Sequence, residues 1–111
     1  MTVIVAHNTT VEAAMGIVDR SAYDLFEGVA GESVELVDRK KDWNGRQMDF
    51  SLTARAGFIS VPIAGMVVVD EVHVTVHCEL PALVKTYVGE EKMHGGVERK
   101  MRGLLGVLSV Q

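Results

Sequence analysis

The chain has 111 residues, of which 48% are apolar and 23% are charged. This length and composition are typical of one folded domain, residues 1–111, with a self-sufficient core, and they exclude a wholly disordered chain. Only 5% of the residues are aromatic, so we expect a mainly aliphatic core. The formal charge of −4 argues against a nucleic-acid partner, because nucleic-acid binders neutralise phosphates with clustered Lys and Arg.

The sequence favours a soluble protein of a reducing compartment. Its single cysteine, Cys78, can form no internal disulfide. The longest apolar run, residues 61–69, is far shorter than the ~18 residues of a membrane span. Residues 3–6 are too few for the apolar part of an export signal, and no basic residue precedes them. We therefore expect a cytoplasmic protein with no membrane span.

The first elements in chain order are a short strand and an amphipathic helix. Residues 2–7 are rich in β-branched side chains, which predicts a strand. Thr9 with Glu12 three residues later forms a capping-box pattern, so the helix is expected to begin there. Apolar residues then recur at intervals of three and four as far as Val29, and the glycines of residues 28–31 end the helix.

From residue 33 the apolar period changes to two, which indicates antiparallel strands. Asn44-Gly45, after the charged residues 38–42, predicts a hairpin. Residues 48–56 and 72–80 alternate between apolar and polar, as in a sheet covered on one face. The strand between them, residues 58–69, contains Pro62 and Gly65, which predict a bulge or an edge position.

The last element is a helix that begins at Pro81. Apolar residues at helical spacing lie on both sides of Gly95-Gly96, where we expect a kink or a break because each glycine costs ~1 kcal/mol relative to alanine. The element order is then β-α-β-β-β-β-α. It predicts a two-layer α+β sandwich, with an antiparallel sheet of about four to five strands and two helices packed on one face.

No pattern in the sequence indicates a catalytic or metal site. His73 and His77 share a strand face, but four residues at ~3.3 Å each separate them by ~13 Å, too far to bind one ion. Cys78 stands in an alternating apolar row, where a free cysteine is usually a small buried apolar residue. The glycines match no phosphate-binding motif. We therefore expect a protein that is not an enzyme, with no catalytic residue, metal or cofactor.

Two features are candidates for an interaction surface. Trp43 lies beside Asn44-Gly45 among basic residues, where it either anchors a partner or seals the core, and sealing is favoured. In the C-terminal helix, basic residues flank an apolar stripe, as in helices that lie on a hydrophobic boundary. Packing of that stripe on the sheet is the favoured interpretation. The candidate surface comprises Trp43, Lys92, Arg99, Arg102, Leu104 and Leu108.

A series of structural landmarks resembles a known family. The landmarks are Trp43-Asn44-Gly45, Phe50, Gly57, Gly65, the alternating valines of residues 72–76, Leu80-Pro81 and a final helix with Leu104-Leu105. From residue 11 to about residue 108 they are similar to the small bacterial proteins of the polyhydroxyalkanoic acid system family. The resemblance implies a cytoplasmic protein connected with storage-polyester granules, and it carries over no catalytic residue. The longer stretch at residues 58–64 and the pair Gly95-Gly96 depart from the family pattern.

Three hypotheses about function follow. The leading one is a non-enzymatic accessory or binding protein of polyester storage, whose partner is the granule surface or a granule-associated protein. The second is a structural or oligomerising module, because residues 2–7 and 33–38 are expected to expose sheet edges that pair between subunits in a homo-oligomer. The third is an enzyme or a carrier of a small hydrophobe, with a pocket between the sheet and the helices.

Overall fold

The computed structural model describes residues 1–22, 34–79 and 89–105, which form five strands and two helices. In chain order these elements are β1 (Thr2–Ala6), α1 (Val11–Ser21), β2 (Glu35–Asn44), β3 (Gln47–Ala56), β4 (Ile59–Val69), β5 (His73–Glu79) and α2 (Glu90–Leu105). The predicted α+β class and the order β-α-β-β-β-β-α are confirmed.

The five strands form one antiparallel sheet in the spatial order β1-β5-β4-β3-β2. Strands β2 to β5 follow one another as a meander, and β1 pairs with β5, so that the first and last strands are neighbours. Among the described strands, β1 and β2 are therefore the two edges of the sheet. The sequence predicted edges in both of these segments.

Alternation along each strand divides the sheet into two faces. The inner face, which carries the helices, supplies most of the aliphatic core. Its buried members are Val3, Val5, Met48, Phe50, Leu52, Ala54, Val61, Ile63, Val67, Val69, Val74, Val76 and Cys78. The helices add Ala14 and Val18 from α1, and Met93, Val97, Met101 and Leu105 from α2. This is the two-layer packing that the sequence predicted.

Two tight turns join the central strands. Between β2 and β3 the turn residues are Gly45 and Arg46, and Gly45 has φ of 64°. Asn44, which the sequence placed inside the turn, is instead the last residue of β2. Between β3 and β4 the turn residues are Gly57 and Phe58, and Gly57 has φ of 60°. Glycine adopts this left-handed region without steric cost.

The two irregular residues of β4 have separate explanations. Gly65 pairs with Phe50. A Cβ at Gly65 would overlap the carbonyl oxygen of His77 and lie 2.8 Å from Cζ of Phe50, so only glycine fits there. Pro62 pairs with Thr53 of β3 and lies beyond Ala64, where the described β4–β5 pairing begins.

The bulge that the sequence predicted near Pro62 and Gly65 is not in β4. The β3–β4 register is regular from end to end. The register shift lies in β2, between Val37 and Lys40, and Asp38 has φ of 54° there. The sequence did not predict this bulge, because the segment is charged and contains no glycine, the residue that usually indicates a positive φ.

The helix ends also differ in detail from the predictions. The N-cap of α1 is Thr10, whose Oγ1 accepts a hydrogen bond from the Ala13 amide at 3.1 Å, so the capping box expected at Thr9 is wrong by one residue. Helix α2 runs without interruption through Gly95 and Gly96, so the predicted break there is wrong. Packing of Met93, Val97 and Met101 on the core outweighs the low helix propensity of the two glycines.

Some predictions fall outside the described residues. They concern the end of the first helix in residues 23–33, Leu80-Pro81 with the helical pattern of residues 80–88, and Leu108. Neither of the two described helices is long and apolar enough to cross a membrane.

Candidate functional site

The outer face of the sheet has no buried side chain among the described residues. Its members alternate with those of the core, so the strand pattern that predicts the core predicts this face too. One cross-strand row of this face joins Ile4, Thr75, Val68 and Gln47 from four neighbouring strands. Ile4 is 56% exposed, which is unusual for an isoleucine in a strand.

Strand β4 gives the centre of the outer face an apolar character. Its outward side chains Pro62, Ala64, Met66 and Val68 follow one another down the strand, and we call them the β4 stripe. Phe58 lies at the tip of the β3–β4 hairpin, at the end of the same strand, and is fully exposed. A fully exposed phenylalanine beside an uncovered apolar stripe is the kind of feature that marks an interaction surface.

Polar side chains with hydroxyl groups border the β4 stripe. Ser51 and Thr53 of β3 pair with Ala64 and Pro62, and Thr75 of β5 pairs with Val68. All three hydroxyl-bearing residues are partly exposed. Asp49 and His77 flank Met66, and Glu79 lies beside Ala64, so the border of the stripe carries carboxylates and an imidazole as well as hydroxyl donors.

Trp43 seals the core and holds helix α1. The side chain packs against the core, and its indole Nε1–H donates to Oδ1 of Asp19 at 2.9 Å. Lys41 donates to the Asp19 carbonyl oxygen at 2.7 Å and lies 3.1 Å from Oδ1. The indole hydrogen bond, and after it the Lys41 ammonium, holds the pKa of the Asp19 carboxyl below its ordinary value.

Helix α2 uses its apolar stripe for packing. Leu105 is 2% exposed, whereas Leu104 is 39% exposed and lies beside Ile17 of α1. The basic residues Lys92 and Arg99 are exposed. These positions agree with the favoured sequence interpretation, in which the stripe covers the sheet. Helix α2 packs against β1, whereas Trp43 lies in β2 at the other edge of the sheet. The structure therefore does not bring the helix residues and Trp43 together into one surface.

Arg102, the remaining basic candidate of α2, is also exposed. Its Nη2 lies 3.4 Å from Oε2 of Glu98, one turn earlier in the helix. An exposed ion pair of this kind contributes little to stability. The described basic residues of the helix therefore form a solvated surface.

Among the residues whose burial the structure describes, His7 is the one buried polar residue, and sequence reasoning did not single it out. Its Nδ1 accepts from the Thr9 amide at 3.4 Å, so Nε2 carries the proton and donates to the Asp70 carbonyl oxygen at 2.7 Å. Nε2 thus joins the end of β1 to the β4–β5 turn, and Nδ1 holds the segment that leads from β1 to α1. The alternation of β1 could have predicted this burial, because residue 7 continues the series of inward-facing positions Val3 and Val5.

Asp70 stabilises the same turn from the other side. Its Oδ1 accepts hydrogen bonds from the amides of His73 and Val72. These two bonds, the one from His73 first, lower the pKa of the Asp70 carboxyl. The arrangement is a side-chain-capped turn.

Cys78 and the strand histidines lie as the sequence indicated. Cys78 is buried on the inner face, and burial raises the pKa of its thiol to about 11, so the nucleophilic thiolate is scarce at neutral pH. His73 and His77 are exposed on the outer face, where Nδ1 of His77 lies 2.8 Å from Oγ1 of Thr2. No group of three metal-ligating side chains occurs among the residues that the structure describes.

A small apolar crevice lies between α1, α2 and the sheet. Ile17, Val67 and Leu104 are among the side chains that line it, and its volume of about 10 Å³ is the space of one water molecule. A crevice of this size cannot hold a small hydrophobe.

Comparisons with known proteins add no further constraint. No protein-family model matches the chain, and no curated protein matches it.

Proposed function

We propose that the protein is a non-enzymatic, cytoplasmic accessory protein that binds the surface of bacterial storage polyester. The observation that carries the proposal is the uncovered outer face, with the β4 stripe at its centre and Phe58 at its tip. The landmark resemblance supplies the biological context, and the outer face supplies a surface suited to it.

The chemistry of a polyester matches this surface. Polyester chains are largely apolar, and their ester carbonyls accept hydrogen bonds but donate none. The β4 stripe and Phe58 offer apolar area, and the hydroxyls of Ser51, Thr53 and Thr75 offer donors on either side. Burial of apolar area contributes about 25 cal/mol per Å², so even a partly covered stripe favours binding.

The landmarks that carry the resemblance support the same kind of function. Gly57 forms a tight turn, Gly65 lies under Phe50, and Trp43 holds helix α1. Each of these residues shapes the fold. A family that shares such residues shares a scaffold, and a scaffold with an uncovered sheet face fits a binding protein better than an enzyme.

The proposal is tested by sedimentation of the purified protein with washed polyhydroxybutyrate granules. We expect the wild type to be enriched in the granule pellet relative to an inert soluble protein. The double variant Phe58→Ser/Met66→Ser is expected to lose most of the bound fraction, because the two changes remove apolar area from the hairpin tip and from the β4 stripe. Val72→Ser is the matched control, since Val72 is also an exposed apolar residue but lies at the β4–β5 turn.

A second pair of variants separates the sheet from the helix. Lys92→Glu and Arg99→Glu reverse the exposed charge of α2 and leave the outer face unchanged. We expect both to bind granules like the wild type. Loss of binding in these variants with retention in Phe58→Ser/Met66→Ser would overturn the assignment to the sheet, and absence of wild-type enrichment would overturn the function itself.

A further inference from the structure

The two edges of the sheet differ in how they are protected against pairing with another strand. The β2 edge carries five consecutive charged residues, positions 38–42, and a bulge at Asp38. Both features hinder the approach of a further strand. The β1 edge, Thr2–Ala6, has no charge, no proline and no bulge.

The hydrogen-bond pattern shows which groups of β1 point away from the sheet. Met1 exchanges both of its backbone hydrogen bonds with Cys78, and His7 donates to Val72. Antiparallel pairs alternate between bonded and non-bonded, so the odd-numbered residues of β1 bond to β5. The N–H and C=O groups of Thr2, Ile4 and Ala6 therefore point away from β5, along an edge that no other described strand covers.

We infer that the β1 edge pairs with the β1 edge of a second copy of this chain, in antiparallel orientation about a two-fold axis at Ile4. This pairing does not depend on polyester binding. Ile4 then exchanges two hydrogen bonds with Ile4 of the partner subunit, and Thr2 and Ala6 pair with each other across the axis. Each outward N–H of the edge then donates to a C=O of the partner subunit, and each outward C=O accepts from an N–H. This pairing makes the interface self-complementary.

The side chains of the outer face also permit this pairing. The row Ile4, Thr75, Val68 meets the same row of the second copy, and none of the three side chains is charged. Pairing therefore brings no like charges together and covers an isoleucine that is 56% exposed. The two β4 stripes come to lie on the same side of one ten-stranded sheet.

The expected dimer depends on concentration. Five residues per strand bury far less than the roughly 1,200–2,000 Å² of a stable protein–protein interface. Dimerisation nevertheless doubles the apolar outer face, and two linked faces bind an extended surface more tightly than one.

Disulfide trapping tests the register directly. In the proposed dimer the two Ile4 Cα atoms are about 5.5 Å apart, which suits a disulfide. Ile4→Cys is therefore expected to form a covalent dimer under mild oxidation. The matched control is Ala6→Cys, also exposed on the same edge, whose two copies would lie about 13 Å apart along the strands and should not cross-link. The native Cys78 is buried and does not interfere.

Solution mass provides the second measurement. Light scattering of the wild type is expected to show mass rising towards that of a dimer with concentration. Ile4→Pro removes the outward N–H at the axis without removing a β1–β5 bond, and it should hold the protein monomeric. Ile4→Thr, which keeps the N–H and the β-branch, should retain the dimer.

Two results would overturn the inference. One is equal cross-linking of Ile4→Cys and Ala6→Cys, which would indicate random collision. The other is a wild-type mass that stays monomeric at the highest soluble concentration. Circular dichroism of Ile4→Pro is expected to show a retained sheet, which would separate monomerisation from unfolding.

Discussion

Val67 and Val68 are neighbours in β4, yet they belong to opposite faces of the sheet. Val67 is 1% exposed and packs in the core, whereas Val68 is half-buried on the uncovered outer face. The inner face excludes water and contributes stability, and the outer face leaves apolar area for a partner. A single strand thus serves two purposes, because its side chains alternate.

The largest effect is expected where the inner face has no space. Gly65→Ala should destabilise the protein by about 3 kcal/mol, because the added Cβ meets the His77 backbone and the Phe50 ring. The free energy of unfolding in urea measures this cost. Gly103→Ala is the control of opposite sign, since open space surrounds that helix position and alanine should stabilise the helix by up to about 1 kcal/mol. Equal effects of the two substitutions would refute the steric explanation.

The next effect compares the two faces with one chemical change. Val67→Ala should cost about 2 kcal/mol, because it leaves a cavity in the core. Val68→Ala should cost less than about 1 kcal/mol, because its site is already open to water. Urea unfolding of both variants measures the two losses of free energy of unfolding. If Val68→Ala were as costly as Val67→Ala, the outer face would be covered in the native protein.

The smallest effect lies where the inner face ends at β2. Trp43→Phe replaces the indole with a smaller aromatic ring that cannot donate a hydrogen bond to Asp19. Loss of this hydrogen bond should cost about 1 kcal/mol at neutral pH. The pKa of Asp19 is lowered in the folded state, so the contribution is present above the ordinary carboxyl pKa of 3.8. It is lost as the pH falls through the lowered folded-state value. Unfolding curves at pH 7 and pH 3 should therefore show the difference between variant and wild type shrinking, and a constant difference would contradict the role of the carboxylate.

Most of the fold could be predicted from local patterns. Alternation in residues 48–56 and 72–80 predicted the strands and their inner faces, and the edge segments were correctly identified. The errors arose where long-range contacts decide. Gly95 and Gly96 do not break α2, because the packing of Met93 and Val97 holds the helix, and the bulge in β2 has no glycine to announce it.

The candidate site was less predictable. Val97, Met101 and Leu105 of the C-terminal stripe pack in the core, but Leu104 is 39% exposed and Leu108 lies outside the described residues, so packing of the whole stripe stays a prediction. Trp43 packs against the core, as the favoured interpretation expected. Phe58 and the β4 stripe were not recognised, because exposure of an apolar residue depends on whether another element covers it. A strand sequence contains no information about that cover.

The sequence by itself determined the class of fold, the order of the elements and the two faces of each strand, because these follow from the local periodicity of side chains. Tertiary structure decided that the β4 stripe stays exposed, that the register shift lies in β2 and which backbone groups of β1 point away from β5. Those properties depend on contacts between residues far apart in the chain, such as Met1 with Cys78 and Trp43 with Asp19. The uncovered face and the open edge, on which both proposals rest, are products of those contacts.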